Sequence, residues 1–271
     1  MLPPWPESTR EIAPPQGAAH VFAVWLRPGP QRLAELRGLL SADEVAKADR
    51  FAFPELKVRS AAARGQLREI LGAALGVPKA ELKFQYGENG KPRLAEAGPL
   101  HFNVSHSGDL ALVSLSDREH GVDVELHKDR SYDDVARRFF AAAEVEQLFS
   151  LPDAAREAAF FDTWTAKEAF VKATGVGITV PLGDFEARWQ RPTPAERRSR
   201  GSAAWFGNTS GARRQGGVGL GAEGHIEVLR GPAQGRPFWL QALQMADGAS
   251  GAIVAEGARV PVSVSLWPPA P

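Results

Sequence analysis

Apolar residues return at two different periods along this chain, and each switch of period marks a new element. Alternation at period two, which places apolar and polar side chains on opposite faces, predicts strands over 20–25, 82–86, 100–104, 110–114 and 121–126. Recurrence at the helical period predicts helices over 33–40, 42–51, 57–75, 133–140, 142–148 and 153–174. Further strands follow from residue 185, at 226–229, 238–243 and 252–254. Ser41-Ala42-Asp43-Glu44 has the spacing of a capping box and starts the second helix. Helices and small sheets therefore come twice, with the second set beginning near Gly121, which is an α+β order. No internal repeat is visible in the residues themselves. The expected boundaries are a flexible Pro-rich leader over 1–18, a first subdomain over 19–118, a second over 119–265 and a loose tail over 266–271. A flexible Arg- and Gly-rich insertion is expected at 188–224, where apolar periodicity is lost.

Three segments carry candidate chemistry. In the helix over 153–174, Trp164, Glu168 and Lys172 stand at i, i+4 and i+8 on one face, with Lys167 beside them. In the strand over 121–126, Val122, Val124 and Leu126 point to a core. Asp123 and Glu125 then leave the opposite face together, with Cα atoms ~6.6 Å apart. Two carboxylates so placed repel each other, and a hard divalent cation such as Mg²⁺ with oxygen ligands relieves the repulsion. A half-exposed strand with a polar face is the plainer reading. The third segment, Asn103-Val104-Ser105-His106-Ser107-Gly108, reads as a strand running into a turn. Phe102 and Val104 face the core there, and His106 lies at the strand end, where hydroxyl and imidazole can donate to a phosphate.

Composition narrows the choice of function. The 271 residues hold 32 basic and 32 acidic side chains, so no net positive field exists to attract nucleic acid. Cysteine is absent, which excludes disulfides, thiolate metal sites and a cysteine nucleophile. With no apolar run of ~18 residues and no basic, apolar leader, the expectation is a soluble cytoplasmic protein without a membrane partner, and a monomer is expected as a separate matter.

Five segments in order, Gly90-Lys91-Pro92, Asn103 to Gly108, Gly121 to Glu125, Arg138-Phe139-Phe140 with Glu144, and Trp164 to Lys172, resemble the 4'-phosphopantetheinyl transferase superfamily in its surfactin-synthetase-activating (Sfp-like) class. The resemblance covers roughly residues 20 to 185. It implies two similar subdomains related by a pseudo-twofold axis, each a small antiparallel sheet with a long helix, and coenzyme A in the cleft between them. It implies transfer of the phosphopantetheine arm of coenzyme A to a serine of an apo acyl or peptidyl carrier protein, with release of adenosine 3',5'-bisphosphate.

On the same resemblance, Asp123, Glu125 and Glu168 hold Mg²⁺ against the pyrophosphate and Lys172 adds positive charge as that bond breaks. Either Glu168 or a metal-bound water takes the serine proton. Lys91 and Pro92 contact the adenine and phosphates, Ser105 and His106 contact the 3'-phosphate, and Lys167 contacts phosphate or substrate. Lys47, Arg50 and Arg59 fall where relatives carry phosphate-binding cations, although Glu44 stands where some relatives are basic. Phe139 and Phe140 are carrier-contact candidates that can equally be core, and the insertion's Arg residues would attract an acidic carrier. Two other classes stay open: a different Mg²⁺-dependent enzyme acting on a nucleotide diphosphate, and a noncatalytic paralogue that binds coenzyme A or carrier.

Overall fold

In a computed structural model the described residues are 12–13, 15–87, 89–95, 98–127, 132–175, 177, 180–189, 219–245 and 248–268. The first half runs β1 (Ala19–Trp25), α1 (Pro30–Gly38), α2 (Ala42–Asp49), α3 (Pro54–Leu75), a 3₁₀ turn (Lys79–Glu81), the short hairpin β2 (Phe84–Tyr86) and β3 (Pro92–Leu94), then β4 (His101–Ser107) and β5 (Leu110–Ser116). The second half repeats the order with β6 (His120–Leu126), α4 (Asp133–Phe139), α5 (Ala142–Phe149), α6 (Asp153–Thr174) and a 3₁₀ turn (Leu182–Asp184). It closes with β7 (Phe185–Trp189), β8 (Gly219–Val228), β9 (Phe238–Gln244) and β10 (Ala249–Glu256). A last strand, β11 (Val262–Trp267), follows. The chain is α+β, and the helices and strands read from periodicity lie where they are observed.

Sheet one has the order β11-β1-β5-β4 and sheet two the order β6-β10-β9-β8-β7. Alternation explains how the sheets stack. In β1 and β5 the side chains of Ala19, Val21, Ala23, Leu110 and Leu112 meet Val122, Val124, Trp239, Leu243 and Ile253 of sheet two. Their alternate neighbours Phe22, Val24, Ala111, Val113 and Leu115 face the other way, onto Leu67, Ile70, Leu71 and Ala74 of α3. On the far side, Ala252, Val254 and Leu240 receive Ala166, Ala169, Phe170 and Ala173 of α6. The layers are thus helix, sheet, sheet, helix, and β1, β5, β9 and β10 are covered on both faces.

The two halves are latched in the same way, a likeness that the residues alone hide. At the start of α2, Glu44 accepts from the Ser41 N–H at 3.0 Å and from Arg68 Nε at 2.8 Å. Arg68 also donates to the carbonyls of Lys79 (2.9 Å) and Leu82 (3.1 Å) around the first 3₁₀ turn. At the start of α5, Glu144 accepts from the Ala141 N–H at 2.9 Å and pairs with Lys167 Nζ at 2.7 Å. Lys167 donates to the carbonyls of Leu182 (2.7 Å) and Phe185 (2.6 Å) around the second. A buried cation on each long helix therefore ties the capping carboxylate of the short helix before it to the turn after it. Each long helix has 22 residues and ends on a left-handed glycine, Gly76 or Gly175.

Two stretches depart from the sequence reading. β11 pairs in parallel with β1, Val264 opposite Val21, so 262–267 completes the sheet of the first half instead of closing the second and trailing off as a tail. Arg188 lies in β7 and Gly219 to Gly224 in β8, so both ends of the expected insertion are paired strand; residues 190–218 lie outside the described residues, as do 1–11 of the leader. No helix among the described residues is long and apolar enough to cross a membrane.

Candidate active site

Where the edge of sheet one meets the edge of sheet two, a cleft of about 400 Å³ opens between β4, β6 and α6. Its lining is Val104, Ser105 and His106 from β4, Asp123 and Glu125 from β6, and Trp164, Glu168 and Lys172 from α6. The helical spacing and the strand alternation thus deliver their acids and lysine to one place. The face that carries Asp123 and Glu125 is only partly open to water, with Glu125 half-buried at the cleft. α6 lies across it and leaves Asp123 only 4% exposed. Gly121 allows this approach. A Cβ there would lie 2.1 Å from the Ala169 carbonyl oxygen and 2.4 Å from the Ala173 nitrogen, so any side chain would push the helix away.

Charge in the cleft is uneven. Lys172 Nζ donates to Asp123 Oδ1 at 2.7 Å, to Ser105 Oγ at 2.8 Å and to the Val122 carbonyl at 3.3 Å. Asp123 Oδ2 is buried with no hydrogen-bond partner among the described residues. Burial raises the Asp123 pKa against the pull of Lys172 and Ser105. The Glu168 carboxyl is likewise raised, first by desolvation and then by Asp123, with Lys172 opposing. Glu168 is bonded to nothing among the described residues. Among those residues no three His, Cys, Asp or Glu side chains form a finished metal cage, and Lys172 pairs with Asp123. The orphaned Oδ2 and the crowded carboxyls nevertheless fit a hard cation that takes oxygen ligands. His106 stands at the mouth, where partial desolvation and then the Lys172 charge hold its pKa below the usual imidazole value.

Other expected contacts lie elsewhere. Lys167 is fully buried and its protons go to Glu144, Leu182 and Phe185, so it is an internal strut and not a substrate contact. Ser105 has also spent its hydroxyl: it donates to Asp123 Oδ1 at 2.6 Å and accepts from the Val124 N–H and Lys172, which uses one donor and two lone pairs. Lys91 donates to Glu119 at 2.7 Å and to the carbonyls of His120 and Lys172, fastening the β2–β3 hairpin to the end of α6; Pro92 opens β3 beside it. Arg59 pairs with Asp109 at 2.6 Å, within electrostatic reach of His106. Lys47 and Arg50 are exposed on and just after α2, Lys47 over the Tyr86 ring, and neither lines the cleft. Glu44, expected to stand where some relatives are basic, is the cap carboxylate held by Arg64 and Arg68.

The aromatic pair divides. Phe140 is core, stacked on Phe160, whereas Phe139 is 37% exposed and meets Trp164 edge-on. The sequence reading passed over Ser107, which donates to Glu125 Oε2 at 2.7 Å, and the buried His120, which bonds Ser114 and the Arg118 carbonyl. The period-two recurrence of Asn103, Ser105 and Ser107 was the available signal for the first.

Comparison with known proteins places matches on both halves. Residues 24–117 match the family described as 4'-phosphopantetheinyl transferase, N-terminal, and residues 119–215 match the 4'-phosphopantetheinyl transferase superfamily. The chain is 43% identical over 183 residues to the 4'-phosphopantetheinyl transferase HetI of a Nostoc species, covering 65% of this chain and 76% of that protein. It is 35% identical over 173 residues to the 4'-phosphopantetheinyl transferase psf-1 of Bacillus pumilus (62% and 74% covered). It is 29% identical over 170 residues to the 4'-phosphopantetheinyl transferase Sfp of Bacillus subtilis (62% and 75% covered).

Proposed function

Because this chain belongs to the 4'-phosphopantetheinyl transferase superfamily and is an enzyme of that kind, we propose that it carries the phosphopantetheine arm of coenzyme A to a serine hydroxyl of an apo acyl or peptidyl carrier protein, with Mg²⁺, and releases adenosine 3',5'-bisphosphate. The observation that carries this reading is the buried, unpartnered Oδ2 of Asp123 in a cleft shared with Glu125, Glu168 and Lys172. Asp123, Glu125 and Glu168 would hold the ion. An ion held there would neutralise the pyrophosphate and polarise the phosphorus.

The chain's own groups account for the remaining roles. Lys172 places its ammonium where negative charge grows on the departing phosphate, a fixed donor that need not reorganise during reaction. Glu168, whose carboxyl is raised by desolvation and by Asp123 and which has no hydrogen bond among the described residues, would take the serine proton through the oxygen it does not give to the ion. His106, whose pKa is held low by desolvation and then by Lys172 against the pull of Glu125 and Asp123, gains a proton more readily beside a phosphate, so it is assigned to the 3'-phosphate with Arg59 behind it. Lys47 and Arg50 contribute charge at the rim, and Phe139 offers an apolar contact to the carrier.

Intact-mass measurement of a panel of apo carrier proteins, incubated with the enzyme, coenzyme A and Mg²⁺, tests the reading. A gain of ~340 Da on a carrier, lost with a chelator and with Ser→Ala at the carrier's acceptor site, is the expected result. Coenzyme A binding with no adduct on any carrier overturns it.

A further inference from the structure

The edges of the two sheets are not joined by a backbone ladder. Instead a row of β4 side chains reaches across to β6. The Val122 N–H donates to Asn103 Oδ1 at 2.9 Å, the Val124 N–H to Ser105 Oγ at 3.3 Å and the Leu126 N–H to Ser107 Oγ at 3.1 Å. Both strands have period two, so one register satisfies all three amides, and a buried edge that would otherwise hold orphan donors is closed. The same two hydroxyls then turn to the carboxylates on either side of those amides. Ser105 donates to Asp123 Oδ1 at 2.6 Å, and Ser107 donates to Glu125 Oε2 at 2.7 Å. Each serine takes one oxygen of its carboxylate. The second oxygens, Asp123 Oδ2 and Glu125 Oε1, have no hydrogen bond among the described residues.

We infer that Ser105 and Ser107 are positioning residues that restrict Asp123 and Glu125 to one free oxygen each, and so select a small octahedral cation over a larger one. This rests on the metal reading given above. Mg²⁺ takes single oxygens at short distance in a near-ideal octahedron and keeps several waters, whereas Ca²⁺ accepts both oxygens of a carboxylate in a looser shell. A carboxylate with one oxygen already bonded is confined to the first mode. Serine suits the task because its hydroxyl has one proton for the carboxylate and a lone pair for the strand amide, on a stem short enough to fit between two edges. Hydrogen-bonded supports of this kind commonly change metal affinity by about 10- to 100-fold when lost. Ser107 is the better probe, since Ser105 also binds Lys172.

Displacement of Mn²⁺ followed by electron paramagnetic resonance, without coenzyme A or carrier, reads Mg²⁺ and Ca²⁺ affinity independently of turnover. The comparison is Ser107→Thr against Ser107→Val, two side chains of equal shape of which only the first keeps the hydroxyl. Ser107→Val is expected to weaken Mg²⁺ by about 10-fold and to lower the ratio of Mg²⁺ to Ca²⁺ affinity, while Ser107→Thr stays near the parent. Thermal unfolding of both variants separates folding loss from metal loss. If Ser107→Val does not fold, Ser107→Asn, which keeps a donor, must match the parent's ratio. Equal Mg²⁺ to Ca²⁺ ratios in Ser107→Thr and Ser107→Val overturn this inference alone. A parent protein that binds no divalent cation overturns it together with the metal reading.

Discussion

The two halves share one scaffold, but only one of them offers chemistry at the helix–sheet contact. Aligned by element, β1 and β6 have seven residues each, and the fourth and sixth are Phe22 and Val24 in the first, Asp123 and Glu125 in the second. Likewise α3 and α6 set Leu67 and Ile70 against Ala166 and Ala169, and Glu69 against Glu168. In the first half, large side chains fill the layer. Glu69 is bound by Arg32, and Trp267 of β11, edge-on to Phe22, donates to it at 3.4 Å. In the second half, alanines and Gly121 bring α6 down onto β6, and Glu168 beside the two acids has no hydrogen bond among the described residues. A polar pocket arises where small residues replace large ones while the Glu–cation latch holds the helix ends in place.

The sharpest test of that difference is the matched pair of glutamates. Glu168→Gln is expected to lower carrier modification by about 10³-fold, since a base and ligand is removed, with coenzyme A binding little changed. Glu69→Gln should leave modification within about twofold and cost about 1 to 2 kcal/mol of stability, the size of a hydrogen-bonded charge lost. Equal losses of activity in the two variants would erase the functional asymmetry.

The latches differ in how much each cation carries. Lys167→Met leaves the buried Glu144 without its cation and is expected to destabilise the fold by about 3 to 5 kcal/mol in urea titration, whereas Arg68→Met leaves Glu44 paired with Arg64 at 3.0 Å and is expected to cost less. Their partners Glu44 and Glu144 are 6% and 5% exposed. A stable Lys167→Met enzyme with a raised KM for coenzyme A would restore Lys167 to the substrate site.

Packing distance comes next. Gly121→Ala forces α6 off β6, and a displacement near 1 Å is expected to lower kcat by about 10²-fold, with about 1 to 3 kcal/mol of overpacking strain. Full activity in this variant would show that the close approach is dispensable.

The smallest effect is a pH dependence at the seam between the halves. Burial lowers the His120 pKa from 6.5 to about 4, so the folded protein keeps the ring neutral. The unfolded chain binds this proton first as pH falls, so the stability due to His120 is present above pH 6.5 and is lost progressively towards pH 4. Between pH 7 and 5.5 the loss is about 1 kcal/mol. His120→Gln, judged as the difference from the parent, should flatten that slope. The raised carboxyls of Asp123 and Glu168 act in the opposite direction in both proteins.

Local rules explain why so much of the fold was legible. The 22-residue periodicity of α6, the alternation in β6 and the capping spacing at Ser41 are properties of neighbours in sequence, and each lies where it was read. Trp164, Glu168 and Lys172 share the cleft because 3.6 residues per turn leave no other arrangement on one helix. Lys167 was misread for the opposite reason. Its charge suggested a surface or a ligand, whereas its burial depends on Glu144 and two carbonyls more than ten residues away. β11 was misread similarly, since nothing within six residues tells a strand which sheet edge lies vacant.

By itself the sequence determined the elements, their order, the period that sets Asp123 and Glu125 on one side of a strand, and the family whose motifs it carries. Only the tertiary structure decided that this side is roofed by α6, that Ser105 and Ser107 close the seam, and that Glu168 has no hydrogen bond among the described residues where Glu69 is bound. Periodicity is written in bonds between neighbours. Burial and partnership depend on which distant surface arrives, and that follows from the size of side chains such as Ala169 and Gly121 meeting across the fold.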